Sequence, residues 1–160
     1  MKPPLRKLVL TAHVTSSVGW LGAVLGYIAL AATAISHGEA NRIQGAFVSM
    51  ETIGWLVLVP FAVATLVTGL VQSLGTEWGL IRHWWVLAKF LLTVPATAIL
   101  LLHLPSVSRA AAATAPLEQR APFMVHAVGG ALILLVATVL SIYKPWGRTG
   151  LGRSGRRPAS

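Results

Sequence analysis

Four apolar runs separated by short polar pieces dominate the chain, at about 8–35, 48–74, 84–104 and 122–143. Each run is long enough to cross a bilayer, which takes about 20 apolar residues at a rise of 1.5 Å each. Lipid offers no hydrogen-bond partner to the backbone, so segments of this kind must be helices. The pattern therefore predicts an all-α membrane protein, an up-down bundle of four transmembrane helices.

Prolines mark irregular points in this pattern. Pro60 and Pro95 fall inside the second and third runs. Transmembrane helices tolerate proline, so each is predicted to kink its helix and not to end it. The polar piece from Pro105 to Pro122 is predicted to be the connection on the outer side.

The charge distribution predicts the orientation of the spans. The chain has 160 residues, 55% hydrophobic and 11% charged, with a net charge of +9. A soluble domain carries about a quarter charged residues, so the composition is typical of membrane proteins. Twelve of the 13 lysines and arginines lie outside the apolar runs, all except Lys89, which indicates contact with anionic lipid and argues against nucleic-acid binding.

Four spans place both ends of the chain on one side. That side would hold nine lysines and arginines: Lys2, Arg6, Lys7, Arg82, Lys144, Arg148, Arg153, Arg156 and Arg157. The other side would hold Arg42, Arg109 and Arg120. The asymmetry predicts cytoplasmic termini and a place in a cytoplasmic membrane.

The chain is expected to form one transmembrane domain, residues 1–146, followed by a basic tail, 147–160. The tail has no apolar period, which predicts disorder. The lipid bilayer is the predicted partner, and further membrane subunits or a second copy of the chain are left open.

Helical periodicity sorts the intramembrane polar residues onto one face of each helix. The first face carries His13, Ser16, Ser17, Trp20 and Tyr27, and the second carries Glu51, Trp55, Ala62, Thr65 and Gly69. The third carries Trp85, Lys89, Thr93, Ala96 and His103, and the fourth carries His126, Gly130, Ile133 and Ala137. These faces are predicted to line a shared polar core.

Depth along the helices divides this core into two polar layers. His13 and Lys89 form the predicted inner layer, and Glu51, His103 and His126 form the outer one. Ionisable groups inside a membrane are functional-site candidates by default. Simpler interpretations stand beside this one: Lys89 extending its ammonium to the surface, His13 hydrogen-bonding a neighbouring helix, and Glu51 capping the second helix.

His103 and His126 make the strongest pair, because adjacent helices would bring them to one depth. Two such imidazoles can hold a haem iron or a metal ion in a helical bundle. Gly129 and Gly130 would let a flat macrocycle approach the backbone. A copper or other metal site would use His103, His126 and Glu51, with Met50 and Met124 as soft ligands.

Two short motifs carry a family resemblance. His13…Trp20-x-Gly22 resembles the first-span signature of copper resistance protein D and of HemJ-type protoporphyrinogen oxidases. Trp85-x3-Lys89-x13-His103 is similar to the third helix of the HemJ type. The chain as a whole resembles four-span bacterial proteins that are common in actinobacteria. These proteins share the first-span signature and end in a segment like Tyr143 to Arg148.

The resemblance implies a bundle that holds haem b, with His13 as a candidate ligand, Trp20 in the same motif and Lys89 close by. The Pro-Arg-Leu segment associated with the oxidase is absent after Trp20-Leu-Gly22. The oxidase activity is therefore not carried over to this chain.

Three functions stay open: a haem-binding redox protein of the membrane, an accessory subunit without a cofactor, and an outer-face copper or metal module. The sequence contains no cysteine and no aspartate, which removes thiolate chemistry and Ser-His-Asp triads. No glycine-rich phosphate loop is present. Whether the chain is an enzyme is not decided by its sequence.

Overall fold

The computed structural model describes residues 1–36, 38–75, 82–113, 116, 119–145, 147 and 149. The described helices are α1 (Pro3–Ile35), α2 (Ala40–Ile53), a π-helical turn (Gly54–Leu58), α3 (Val59–Gly75), α4 (Trp84–Ala112) and α5 (Ala121–Tyr143). Because α2, the π turn and α3 are continuous, they form one span, Ala40–Gly75. Four spans are long and apolar enough to cross a membrane, which supports the predicted multi-pass, all-helical fold.

The four spans pack in a ring that follows chain order. α1 contacts the second span and α5, and α4 also contacts the second span and α5. α1 and α4 therefore lie at opposite corners, with the centre of the bundle between them. Apolar side chains fill that centre, and the largest fully buried ones are Phe47, Met50, Leu104 and Val107.

The helices extend beyond the predicted apolar runs on one side of the bundle. α2 begins at Ala40, eight residues before the predicted run, and α4 continues through Pro105 to Ala112. These extensions are amphipathic: α2 buries Ile43, Ala46 and Phe47, and α4 buries Leu104, Val107, Ala110 and Ala111. The Gln44 side chain donates a hydrogen bond to the Ala111 carbonyl between them. The expectation that the connection starts at Pro105 is therefore wrong.

Pro60 introduces the main irregularity of the second span. A proline cannot donate the usual helical hydrogen bond, and its ring crowds the carbonyl four residues earlier. The preceding turn, Gly54–Leu58, is π-helical, and the Val59 N–H donates to the carbonyl of Gly54, five residues back. This wider turn inserts one residue into the helical repeat.

The chain after α5 turns at Lys144, whose φ of 45° lies in the left-handed region. The Lys144 N–H closes the helix by donating to the carbonyl of Leu140. Farther on, the Thr149 N–H donates to the carbonyl of Arg82 at 2.8 Å. The rest of the tail predicted to be disordered, 147–160, lies outside the described residues apart from Gly147.

Candidate functional site

His103 of α4 and His126 of α5 form a direct pair. Their ring centroids are 4.0 Å apart and the ring planes are inclined by 20°, so the imidazoles stack face to face. The His103 ring also lies 5.1 Å from the Phe123 ring. The predicted meeting of the two histidines between these helices is confirmed.

The two imidazoles differ in their hydrogen bonds. The Nδ1 of His126 lies 2.6 Å from the carbonyl oxygen of Pro122. A carbonyl only accepts, so Nδ1 carries the hydrogen and donates it. The Nε2 of His103 is buried and has no hydrogen-bond partner. His103 thus carries a polar atom that nothing in the described chain satisfies.

The stacked geometry does not suit a metal ion shared by the two rings. A metal lies in the plane of each imidazole that binds it, at about 2.0–2.1 Å for zinc. Two nearly parallel planes, with ring centroids 4.0 Å apart, do not meet at such a short distance. No group of three or more histidines, aspartates or glutamates that could hold a metal ion occurs among the described residues.

Glu51 therefore does not complete a three-residue ligand set with His103 and His126. It is also not a cap of the second helix, because α2 begins at Ala40 and Glu51 lies near its other end. Met50 is fully buried in the apolar core, and Met124 packs against that core. Packing in the apolar core explains the positions of both methionines.

A cavity of about 200 Å³ adjoins the histidine pair. It lies between α1, α4 and α5, and Leu58 of the π turn closes part of it. Trp20 and Tyr27 of α1 contribute aromatic walls and are 3% and 5% exposed. Apart from the two histidines its walls are chiefly apolar. The predicted cofactor residue Trp20 therefore shares a cavity with His103 and His126.

Gly129 and Gly130 line the same cavity. A Cβ built on either glycine meets no atom within 4 Å, which shows that both face open space. The lining residues Ile99 and Val125 are 47% and 68% exposed at the surface of the bundle. Part of the cavity wall on α4 and α5 is therefore exposed.

His13 lies elsewhere, in a polar contact between α1 and α3 that we name the polar seam: Val9, His13 and Ser16 of α1 with Thr65, Thr68 and Gln72 of α3. Its three bonds join His13 Nδ1 to Thr68 Oγ1 (3.0 Å), Thr65 Oγ1 to Ser16 Oγ (3.1 Å) and Gln72 Nε2 to the Val9 carbonyl (3.3 Å). The Thr68 hydroxyl donates its hydrogen to the Ala64 carbonyl at 2.6 Å. The His13 Nδ1–H is consequently the donor to Thr68.

Lys89 has partners on α4 and α5. Its ammonium donates to Ser141 Oγ of α5 at 3.0 Å and lies 4.7 Å from the centroid of the Trp85 ring. His13 bonds to α3, whereas Lys89 bonds to α5. The two residues of the predicted inner layer thus form hydrogen bonds to different helices.

These positions bear on the fit of haem b. His13 is not among the residues that line the cavity, and neither is Lys89. Two axial histidines aim their nitrogens at one iron from opposite sides, whereas His103 and His126 present their faces to each other. A cavity of about 150 Å³ holds benzene, and a porphyrin is several times larger than that ring. The described geometry fits a smaller ligand better than it fits the macrocycle.

Comparison with known proteins finds no matching protein-family model, curated protein or solved structure. The resemblance to the HemJ and copper resistance families thus stays a prediction. The sequence showed Ser16, Trp20 and Tyr27 on the histidine face of α1, but it did not pair Ser16 with Thr65 or place Leu58 in the cavity. Those contacts depend on the register between helices, and the sequence pattern of a single helix does not predict that register.

Proposed function

We propose that this chain binds a small lipophilic ligand in the cavity between α1, α4 and α5, with His103 as the polar contact. The protein would do so as a multi-pass component of the bacterial cytoplasmic membrane with both termini cytoplasmic. The orientation follows from the nine-to-three distribution of lysines and arginines between the two sides.

The observation that carries the proposal is the His103 imidazole in the wall of an apolar cavity, a ring whose buried Nε2 has no hydrogen-bond partner in the described chain. A buried polar group without a partner costs about 1–3 kcal/mol. Water is a poor partner here, since an ordered water needs two to four polar neighbours and apolar cavities stay dry. A ligand with one hydrogen-bonding group and an apolar body would give the His103 imidazole a partner and would also fill the cavity.

The proposal predicts that the full chain retains a lipophilic molecule when it is purified from its own membrane. Native mass spectrometry would detect this molecule as a defined added mass. Gly130→Leu should remove it, because the leucine would occupy the cavity while its Cβ clashes with nothing. Gly22→Leu is the matched control, since Gly22 also has open space around it and does not line the cavity.

The proposal fails if the wild type carries no added mass, or if Gly130→Leu retains the same mass as Gly22→Leu. A chain without any retained molecule would favour the accessory-subunit function. In that case the polar residues would serve helix packing alone.

Haem b is the second candidate, supported by the free nitrogen of His103 and the open space at Gly129 and Gly130. His103 alone would supply the axial ligand, and the walls would have to move apart. A Soret band in the purified protein that is lost in His103→Leu and kept in His13→Ala would support this candidate. A colourless protein from cells with ample haem would exclude it.

A further inference from the structure

We infer that the cavity is built for the head group of an isoprenoid quinone, a neutral ring that carries carbonyl oxygens and an apolar tail. This inference rests on the proposed function, because it names the class of ligand for that same cavity. Three observations support it: the size of the cavity, the charge of its walls and its access to lipid.

Size points to a single substituted ring. The cavity of about 200 Å³ is somewhat larger than the ~150 Å³ that accommodates benzene. It lies below the ~300–1,000 Å³ typical of pockets for drug-sized ligands. Trp20 and Tyr27 supply aromatic walls, which favour a flat ring over a branched or spherical ligand.

Charge excludes most other membrane molecules. The lining contains no lysine, arginine, aspartate or glutamate. A fatty-acid carboxylate or a phospholipid phosphate would enter this apolar space without a cation to pair with, which is strongly unfavourable. A neutral carbonyl or hydroxyl needs only one hydrogen-bonding partner, and the His103 imidazole, which lines the cavity, would supply it.

The exposed part of the cavity wall offers a path for the isoprenoid tail of the quinone. Ile99 and Val125 line the cavity and are also exposed, on helices whose outer faces would meet lipid. A tail attached to the ring could therefore leave between these residues and remain in lipid. The head group would be bound inside the protein while the tail keeps its place in the bilayer.

The test compares two ligands with the same decyl tail, one with a benzoquinone head and one with a benzene head that lacks carbonyls. Each is partitioned between empty nanodiscs and nanodiscs that contain the full chain. For the wild type, the quinone should bind about five-fold more tightly than the benzene analogue, the size of one net neutral hydrogen bond. His103→Leu should bring this ratio close to one, because the leucine keeps an apolar contact and removes the nitrogen.

Gly130→Leu should weaken both ligands, and Gly22→Leu should weaken neither. Equal binding of the two ligands to the wild type would overturn the quinone inference and leave the proposed cavity function standing. If neither ligand binds, both the quinone inference and the proposed function of the cavity are wrong. A preference for the quinone that persists in His103→Leu would also overturn the inference, because the carbonyl would then have another partner.

Discussion

Three histidines on three helices differ in the hydrogen-bond partners that the neighbouring residues offer to their imidazoles. His13 donates to Thr68 on α3 and belongs to a helix contact. His126 donates to the Pro122 carbonyl of its own helix and stacks on His103. Only His103 keeps a buried nitrogen without a partner in the described chain. This nitrogen is the reason that the proposed ligand site includes His103.

The polar seam gives a prediction about stability. Thr68→Val removes the acceptor of the His13 bond and keeps the shape of the side chain. The free energy of unfolding in lipid or detergent should fall by about 0.6 kcal/mol, and by no more than ~1.7 kcal/mol, the range for hydrogen bonds between membrane helices.

The control for this prediction is Thr93→Val, because Thr93 donates only to the Lys89 carbonyl of its own helix. Its effect on the unfolding free energy should be the smaller of the two. Equal losses for Thr68→Val and Thr93→Val would mean that the contact between His13 and Thr68 adds nothing to stability.

At the scale of elements, the existence of the four helices could be predicted, but their ends and one of their faces could not. Apolar runs report the part of a helix inside lipid and not the amphipathic turns beyond it, such as Ala40–Phe47. The predicted face of the second helix is also interrupted. Trp55 is 43% exposed whereas Ala62 and Thr65 are buried, because the π turn shifts the helical repeat by one residue.

Gly54 makes the close contact at the start of this π turn possible. A Cβ on Gly54 would overlap the side chain of Leu104, which is 1% exposed. Gly54→Ala should therefore reduce the unfolding free energy by about 1–3 kcal/mol, the usual cost of overpacking. Reversible unfolding in mixed micelles would measure the change.

Gly45→Ala is the matched control in the same span, since a Cβ there meets no atom within 4 Å. It should leave stability unchanged or raise it, because alanine favours helix more than glycine does. A loss in Gly45→Ala as large as that in Gly54→Ala would show that the contact with Leu104 is not the cause.

For the whole molecule, composition and charge predict a membrane protein with cytoplasmic termini, and the four apolar spans support the first part. The orientation can be tested directly because the natural chain has no cysteine. Single cysteines at Lys2 and Lys144 should react with a membrane-impermeant maleimide only after cells are opened. Cysteines at Arg42 and Arg109 should react in intact cells, and the reverse pattern would invert the topology.

The histidine pair could be predicted from the sequence because α4 and α5 are adjacent in the chain and joined by a short connection. The cavity could not, since it combines Trp20 and Tyr27 of α1 with His103 and His126, which lie more than 70 positions later. Its free nitrogen is a property of the assembled bundle. For this reason the proposed ligand site depends on the structure and not on a motif.

The most direct test of that site is the ¹⁵N NMR signal of the His103 Nε2, assigned by its loss in His103→Leu. Full-length protein labelled with ¹⁵N-histidine would be compared in pure phosphatidylcholine nanodiscs before and after addition of a lipid extract from its native membrane. We expect the His103 Nε2 resonance to shift on addition while the His13 resonance stays in place. An unchanged His103 signal, or a shift confined to His13, would contradict the proposed function.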